Sequence, residues 1–339
     1  KKYVRVRKTL VDQEELLMEV GNLNREVIKL NNEKERILAM KVSQLGLNPG
    51  ESPYDENGET AEGEKKDGEV DKTADDYSRF YKCTQVDLEI EHYVAPDFDN
   101  EITLPEICER FRNFACSRLG LFYEIKIIRL FLSAFASTRL IILQGISGTG
   151  KTSLAYAWGK FLKNPVTIAS VQPSWRDRTE IFGYFNEFTK RFNETEVLKK
   201  MYEATFKEIF ITVLDEMNIA RVEYYFAELL SILEMPSRDE WVVSLVPSVW
   251  PTDPKHIIDG KLKLPENMWY IGTINNDDST FTISDKVYDR AISIFFDNKG
   301  IPFETEFVEP IQLSYSQLRK LYQDAIFQYP LSDKVLEKF

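Results

Sequence analysis

The sequence is poor in the residues that build metal centres and disulfide frameworks. Its 339 residues include only three cysteines and two histidines, and these are scattered along the chain without the spacing of a zinc site. They are Cys83, Cys108, Cys116, His92 and His256. The composition therefore predicts free, buried thiols, as is typical of a protein of the reducing cytoplasm.

The sequence also lacks apolar runs of membrane-spanning length and an excess of basic charge. No stretch approaches the roughly 20 apolar residues of a membrane span, and nothing resembles a signal peptide. The net charge is −12, and the segment 48–76 alone carries eleven acidic residues against three lysines. Because a nucleic-acid-binding surface is basic, we expect any DNA contact to come from a pore surface, a missing domain or a partner.

The chain divides into four predicted parts by composition. The segment 1–47 is a predicted long helix, and apolar residues recur in it every seven positions, at Leu16, Leu23, Leu30 and Ile37. This pattern fits a coiled coil and equally an amphipathic helix packed on its own chain. The segment 48–76 is a predicted acidic linker, residues 77–300 are the predicted α/β domain, and 301–339 begin a helical lid.

The most informative stretch is Gly145–Thr152, with the sequence GISGTGKT. It matches the phosphate-binding pattern G-x-x-x-x-G-K-[ST], lies after the apolar run Leu140–Leu143 and precedes a helical pattern. Lys151 can reach the β- and γ-phosphates, and the Thr152 hydroxyl can ligate Mg²⁺. The residues expected to bind nucleotide are Gly145, Ser147, Gly148, Thr149, Gly150, Lys151, Thr152 and Ser153.

Polar side chains end two further apolar runs. Ile209–Leu214 is followed by Asp215 and Glu216, of which the first can hold Mg²⁺ and the second can orient an attacking water. Met268–Ile274 is followed by Asn275, whose amide could contact the γ-phosphate or that water. The alternative for this asparagine is a turn, because asparagine and aspartate residues follow it.

An arginine just before the last predicted strand is a candidate for completing the site. Arg290 is the best candidate for an arginine finger that reaches the γ-phosphate of a neighbouring subunit. The alternative is a surface salt bridge. The rival arginines are Arg176, Arg178 and Arg221.

Strand and helix patterns alternate, which predicts an α/β fold with a parallel five-stranded sheet. The predicted strands begin with the Leu140–Leu143 run and continue with Val166–Val171, Ile209–Leu214, Met268–Ile274 and Ile292–Phe296. The predicted helices outside the first segment include Leu104–Arg118, Tyr123–Ser137, Tyr315–Phe327 and Ser332–Phe339.

In this order, the motifs resemble those of an AAA+ ATPase module, and in particular its dynein-related, McrB-like branch. The resemblance extends over about Leu104–Phe296. The segments that carry it are LIILQGISGTGKTSLA, VQPSWRDRTEIFGYFNEFTKRF, VLDEMNIARVEYYFAELLSILE, LPENMWYIGTINNDD and SDKVYDRA. It implies a P-loop NTPase fold, a three-layer α/β sandwich with an α-helical lid.

The resemblance also implies a function. It implies a hexameric or similar ring with Asn275 as the first sensor and Arg290 as the trans-acting finger. The ring would be the motor of a restriction or anti-phage defence system, acting on DNA with a separate McrC-like nuclease subunit. The McrB branch carries Met-Asn-x-x-Asp, linked to GTP preference. Because Ile274 replaces that methionine here, ATP is favoured and GTP stays possible.

Two other classes of function are open on the sequence. One is a MoxR-like or dynein-like ATPase that remodels protein complexes without nucleic acid, which suits the acidic balance. The other is a coiled-coil scaffold whose nucleotide site only switches assembly. Glu216 argues against the scaffold, because a protein that only binds nucleotide has no need of that carboxylate.

Overall fold

The structure is a computed structural model that describes residues 78–99, 101–275, 280–297 and 299–330. The predicted helix of 1–47, the predicted linker of 48–76 and the predicted helix over Ser332–Phe339 lie outside these residues. So do Asn276–Asp278, which follow the predicted sensor asparagine. In the described part, no helix is both long enough and apolar enough to cross a membrane.

The described chain alternates helices and strands. The strands are β1 (Leu140–Gly145), β2 (Thr167–Ser170), β3 (Gly183–Asn186), β4 (Arg191–Glu194), β5 (Phe210–Asp215), β6 (Val242–Ser244), β7 (Ile257–Ile258), β8 (Lys261–Lys263), β9 (Met268–Asn275) and β10 (Ala291–Phe296). The α-helices are α1 (Tyr81–Ile90), α2 (Leu104–Leu119), α3 (Ile125–Ser137), α4 (Lys151–Phe161), α5 (Thr179–Phe182), α6 (Glu196–Glu203), α7 (Val222–Tyr225), α8 (Ala227–Glu234), α9 (Asp285–Tyr288) and α10 (Tyr315–Gln328).

The central sheet has five strands in the order β10-β1-β9-β5-β2, and all neighbouring pairs are parallel. The predicted α/β fold with a five-stranded parallel sheet is therefore confirmed. Each predicted strand of this sheet is present, with its ends shifted by no more than one residue at either end apart from the two-residue extension of the first run. Long apolar runs bounded by polar residues made these strands recognisable in the sequence.

The three inner strands β1, β9 and β5 are buried on both faces, which explains why they are mostly apolar rather than alternating. Along β1, Ile141 and Leu143 pack in a core beneath α2, α3 and α4, whereas Leu140 and Ile142 pack in a second core on the other face. The second core includes residues of α6, α7 and α8. Helices therefore cover both faces, as the predicted three-layer sandwich requires.

Two small antiparallel sheets were not predicted from the sequence. β3 and β4 form a hairpin, and β6, β8 and β7 form a three-stranded sheet. Their strands have only two to four residues, too few to show a period in the sequence. At the hairpin turn the Asn186 carboxamide oxygen accepts from the backbone N–H groups of Phe188 and Thr189, at 2.9 and 3.1 Å. The turn therefore depends on a local side-chain contact.

A buried ion pair joins Arg79, two residues before α1, to the loop after β6. The Arg79 guanidinium donates to both carboxylate oxygens of Asp253, at 2.8 and 2.7 Å, and to the Ser248 hydroxyl at 3.0 Å. It also lies over the Trp250 ring, 4.8 Å from its centroid. Arg79 is 2% exposed, so water does not solvate this ion pair and each charge is compensated by the other.

We predict that Arg79→Ala lowers the free energy of unfolding by about 3–5 kcal/mol, because it leaves Asp253 buried without a counter-charge. The matched control is Lys255→Ala. Lys255 pairs with Glu91 at 3.0 Å between nearly the same two segments, but both side chains are more than half exposed. Denaturant unfolding should show a loss of about 1 kcal/mol or less for the control. Equal losses in the two variants would contradict the assignment.

Candidate functional site

The predicted phosphate loop connects β1 to α4. Its first glycine, Gly145, must lack a side chain because a Cβ there would lie 2.4 Å from the backbone oxygen of Phe296. Gly150 has φ +90° immediately before α4, which begins at Lys151. The Lys151 ammonium donates to the backbone oxygens of Gly145 and Ile146, at 3.0 and 2.7 Å. The loop is therefore folded around its own lysine, and α4 directs its N-terminus toward it.

Tyr123 contacts the phosphate loop, although the sequence did not indicate it as a site residue. Its hydroxyl donates to the backbone oxygen of Gly150 at 2.9 Å, and a Cβ at Gly150 would lie 3.1 Å from that hydroxyl. Burial raises the pKa of the Tyr123 phenol, so it remains a donor. A single aromatic residue just before a helix gives no sequence signal for this contact.

The loop and the first carboxylate are in direct contact. The Thr152 hydroxyl donates to Oδ1 of Asp215 at 2.7 Å, and the Thr273 hydroxyl donates to the same oxygen at 2.8 Å. Hard oxygen ligands are the ones that Mg²⁺ takes, usually through one or two carboxylates and substrate phosphates. The Thr152 hydroxyl and the Asp215 carboxylate therefore fit the predicted Mg²⁺ site. Here, as in the rest of the described residues, no three His, Cys, Asp or Glu side chains come together as metal ligands, so this site would need phosphate oxygens and water to complete it.

The Glu216 backbone is held in an uncommon conformation. It has φ +53° and ψ +47°, the left-handed region that few non-glycine residues adopt. The Thr273 hydroxyl accepts from its N–H at 2.9 Å, and the Glu216 side chain is exposed at the end of β5. In the described part of the chain its carboxylate has no hydrogen-bond partner. It can therefore accept a hydrogen bond from a water placed beside the loop.

Asn275, the third polar residue predicted for the site, lies level with the first glycine of the phosphate loop. In the β1–β9 pairing Asn275 is opposite Gly145, so this asparagine ends its strand beside the phosphate loop. Its backbone oxygen accepts from the Asn218 carboxamide at 3.0 Å, and the same nitrogen donates to the Thr280 hydroxyl at 2.9 Å. Asn218, two residues after Glu216, was not predicted as a site residue.

A cavity of about 180 Å³ opens between these elements, and its lining includes Gln144, Asn218, Asn275 and Tyr288. The Tyr288 hydroxyl donates to the Gln144 carboxamide oxygen at 3.2 Å. The carboxamide oxygen of Asn218 is buried and has no partner among the described residues. A cavity of this size holds several waters, which would satisfy that oxygen.

Arg290 lies away from the loop of its own chain. It precedes β10, whose first residue Ala291 pairs with Leu140 at the start of β1, whereas the loop follows the other end of β1. Its guanidinium forms an ion pair with Glu234. Within one chain Arg290 therefore has the surface salt bridge that the sequence left as the alternative, and it is not brought to the loop.

The rival arginines also lie outside this cluster. Arg178 forms an ion pair with Glu228 at 2.9 Å, and Arg221 lies over the Phe281 ring, 5.1 Å from its centroid. Arg176 is exposed. None of the three contacts the phosphate loop or the carboxylates through a hydrogen bond or ion pair in the described part.

A groove beside the loop offers space for a larger ligand. Its volume is about 370 Å³, and it extends from Phe122, Tyr123 and Thr149 along β10 to Gly300. A ligand whose phosphates lie on the loop could therefore extend into this groove.

The chain has matches among known protein families and solved structures. Residues 140–291 match the family described as AAA domain (dynein-related subfamily). A solved structure of a candidate ATPase from Cytophaga hutchinsonii ATCC 33406 matches with 14% identity and a TM-score of 0.42, over 76% of this chain and 68% of that one. The search of curated proteins gives no match. The matched residues contain the phosphate loop, the carboxylate pair and Asn275, so this part of the chain is similar to an AAA domain of the dynein-related subfamily.

Proposed function

We propose that this chain is an AAA ATPase that binds and hydrolyses ATP with Mg²⁺. The observation that carries the proposal is the 2.7 Å contact between Thr152 of the phosphate loop and Asp215 of the carboxylate pair. Because of this contact, one triphosphate can reach the loop, a metal ligand and the exposed Glu216 carboxylate together. Hydrolysis needs all three close to one another.

Nucleotide binding would reorganise the loop around its lysine. The Lys151 ammonium now donates to two backbone oxygens, and the β- and γ-phosphates offer it a stronger, charge-assisted partner. The backbone N–H groups of Gly148 and Gly150 would then point at the phosphates with the N-terminus of α4 behind them. The nucleoside would lie along the groove that begins at Tyr123.

The chemical step would use the two carboxylates differently. Thr152 and Asp215 would hold Mg²⁺, which neutralises charge that develops on the phosphates. Glu216 has an exposed carboxylate next to that position and would accept a hydrogen bond from the attacking water. Asn275, level with Gly145, would contact the γ-phosphate or that water. Among the described residues we find no contact that would discriminate adenine from guanine, so ATP is chosen over GTP on the family resemblance.

We predict that Glu216→Gln retains ATP affinity within about threefold and lowers turnover by at least about 100-fold. The amide keeps the shape of the side chain but loses the negative charge that orients and activates water. Equilibrium titration with a fluorescent ATP analogue and phosphate release measure the two quantities. Lys151→Ala serves as the contrast and should weaken binding itself. Unimpaired turnover in Glu216→Gln would remove this residue from the mechanism.

The same phosphate-release assay tests a second proposal, that the ATPase drives a nuclease partner. We propose a McrB-like motor that acts on DNA with a separate McrC-like subunit, on the support of the segments shared with that branch. Adding that subunit should then raise wild-type turnover. If turnover is indifferent to the subunit and to DNA, remodelling of protein complexes is favoured, which the net charge of −12 suits.

We also propose that the chain assembles into a ring in which Arg290 serves the neighbouring site. Along β1 the sheet rises about 17 Å from Leu140 to Gly145, so Arg290 and the loop of the same chain lie near opposite edges. Its ion pair with Glu234 is partly exposed and can be exchanged for a triphosphate. Assembly would bring this arginine to a second chain.

We predict that Arg290→Ala lowers turnover about 100-fold or more, and that mixing restores activity. Subunits that carry Arg290→Ala should regain turnover when mixed with Glu216→Gln subunits, which keep the arginine but lack their own activity. Glu234→Gln is the control for the ion pair and should leave turnover unchanged or raised. If mixed assemblies show no recovery, the trans-acting arginine lies elsewhere.

We expect Asn218 to link Asn275, which would contact the γ-phosphate, to the turn that carries Glu216. Its carboxamide binds the backbone oxygen of Asn275 and the Thr280 hydroxyl, while its chain position is two residues after Glu216. We predict that Asn218→Ala lowers the preference for an ATP analogue over ADP about tenfold, because Asn275 loses its anchor. The two dissociation constants, measured by titration, give the ratio.

A matched control separates this role from loss of stability. Asn267 is also buried, and its carboxamide bridges the backbone oxygens of Ala204 and Glu208, both at 2.9 Å, at the start of β9. Asn267→Ala should lower the melting temperature about as much as Asn218→Ala does, but it should leave the ratio of the two dissociation constants unchanged. A parallel change of the ratio in both variants would show that Asn218 acts only through stability.

A further inference from the structure

A second cavity lies at the edge of the sheet where the strands begin. Its volume is about 410 Å³, and it is bounded by the residue before β1, the start of β9, the turn after α8 and one face of α10. The phosphate loop follows the opposite end of β1, about 17 Å away. The cavity therefore belongs to neither the loop nor the carboxylate pair.

The cavity lining is unusually basic for this chain. Four arginines contribute to it against a single carboxylate, that of Glu266, although the whole chain has a net charge of −12. They are Arg139, Arg238, Arg290 and Arg319. Only one of the four is strongly neutralised, because Arg290 has Glu234 beside the cavity as its partner.

Arg139 is fixed at the base of the cavity without a carboxylate partner. Its guanidinium lies over the Trp269 ring, 4.4 Å from the centroid, and donates to the backbone oxygen of Glu266 at 2.8 Å. It also donates to the Tyr315 hydroxyl at 3.2 Å. No carboxylate oxygen of the described residues lies within 4.0 Å of it. Burial, together with repulsion from Arg238, lowers the pKa of Arg139.

Arg238 is the second guanidinium with no acidic partner in the described part. It lies over the Trp241 ring, 3.7 Å from the centroid, and its side chain is exposed at the mouth of the cavity. Arg319 completes the group but approaches Glu266 only at 3.9 Å, and the Glu266 carboxylate also accepts from Tyr315 at 3.2 Å. One shared carboxylate therefore faces three positive side chains.

The stacking of these arginines on tryptophans determines which ligand fits. The ring face that each guanidinium covers is not open to a nucleobase, whereas the guanidinium edges carry N–H donors in a planar fork. Such edges match the oxygens of a carboxylate or a phosphate and bind them in pairs. Held on rigid rings, the two guanidiniums lose little side-chain freedom when they bind.

We propose that this cavity is a binding site for a small oxyanion of the carboxylate or phosphate class, held between Arg139 and Arg238 with Arg319 at its rim. The anion supplies the counter-charge that these arginines lack within the described chain. It enters from the side of Arg238, whose side chain is exposed. The residues proposed to bind the anion, Arg139, Arg238 and Arg319, have no role in the proposed ATPase activity, although Arg290 also lines the cavity.

The proposal is tested by calorimetric titration of the full chain with inorganic sulfate and, separately, with succinate. We expect one site per chain and an affinity about tenfold weaker in Arg238→Gln, since one charge-assisted contact is lost. Arg238 is exposed, so this variant should fold. Arg139→Gln should show a further loss, with its melting temperature measured in parallel. Binding of sulfate alone would indicate a phosphate-type ligand, and binding of succinate a carboxylate.

Two controls assign any binding to the cavity. Arg118→Gln alters another arginine stacked on an aromatic ring, 3.8 Å from the Phe307 centroid, and should leave affinity unchanged. Lys151→Ala weakens the phosphate loop and should also leave this affinity unchanged. Sulfate binding that disappears with Lys151→Ala but survives Arg238→Gln would place the anion at the loop and overturn the proposal. Absence of binding by both anions at millimolar concentration would overturn it as well.

Discussion

The parallel register of β1, β9 and β5 is the constraint on which the candidate site depends. Gly145 pairs with Asn275 and Leu214 pairs with Gly272, so β1 and β9 end at the same level and β5 ends two residues earlier. Residues that are more than 60 positions apart, such as Thr152 and Asp215, thereby come within 2.7 Å. A shift of one residue in either pairing would move a strand end by about 3.3 Å and separate these donors and acceptors.

The buried Thr273 hydroxyl holds Asp215 and Glu216 in their relative positions. Thr273 donates to Asp215 and accepts from the N–H of Glu216, so it fixes a metal ligand and the turn that follows it. The left-handed conformation of Glu216 costs about 1–3 kcal/mol and persists only where neighbouring contacts determine it. The strain keeps the carboxylate of Glu216 exposed while Met217 turns back into the core.

The sequence predicted the parts of this site that follow from strand ends and failed for the parts that need three-dimensional neighbours. Asp215 and Asn275 each follow a long apolar run, and parallel sheets place such ends together. Thr273 and Asn218 have partners 57 residues away, and nothing local distinguishes them from other polar residues. The small sheets were missed for a related reason: strands such as β7, with two residues, depend on packing rather than on pattern.

The two edges of the central sheet have opposite chemistry, and this asymmetry limits what one chain can do alone. The edge with Gly145 presents backbone donors, hydroxyls and carboxylates, which suit a metal-bound triphosphate. The opposite edge presents arginines, of which Arg139 and Arg290 flank the first residues of β1 and β10. No rotamer change moves a side chain over the length of a six-residue strand. If Arg290 acts on a triphosphate, that triphosphate must therefore be bound by another copy of the chain, and catalysis would then require assembly.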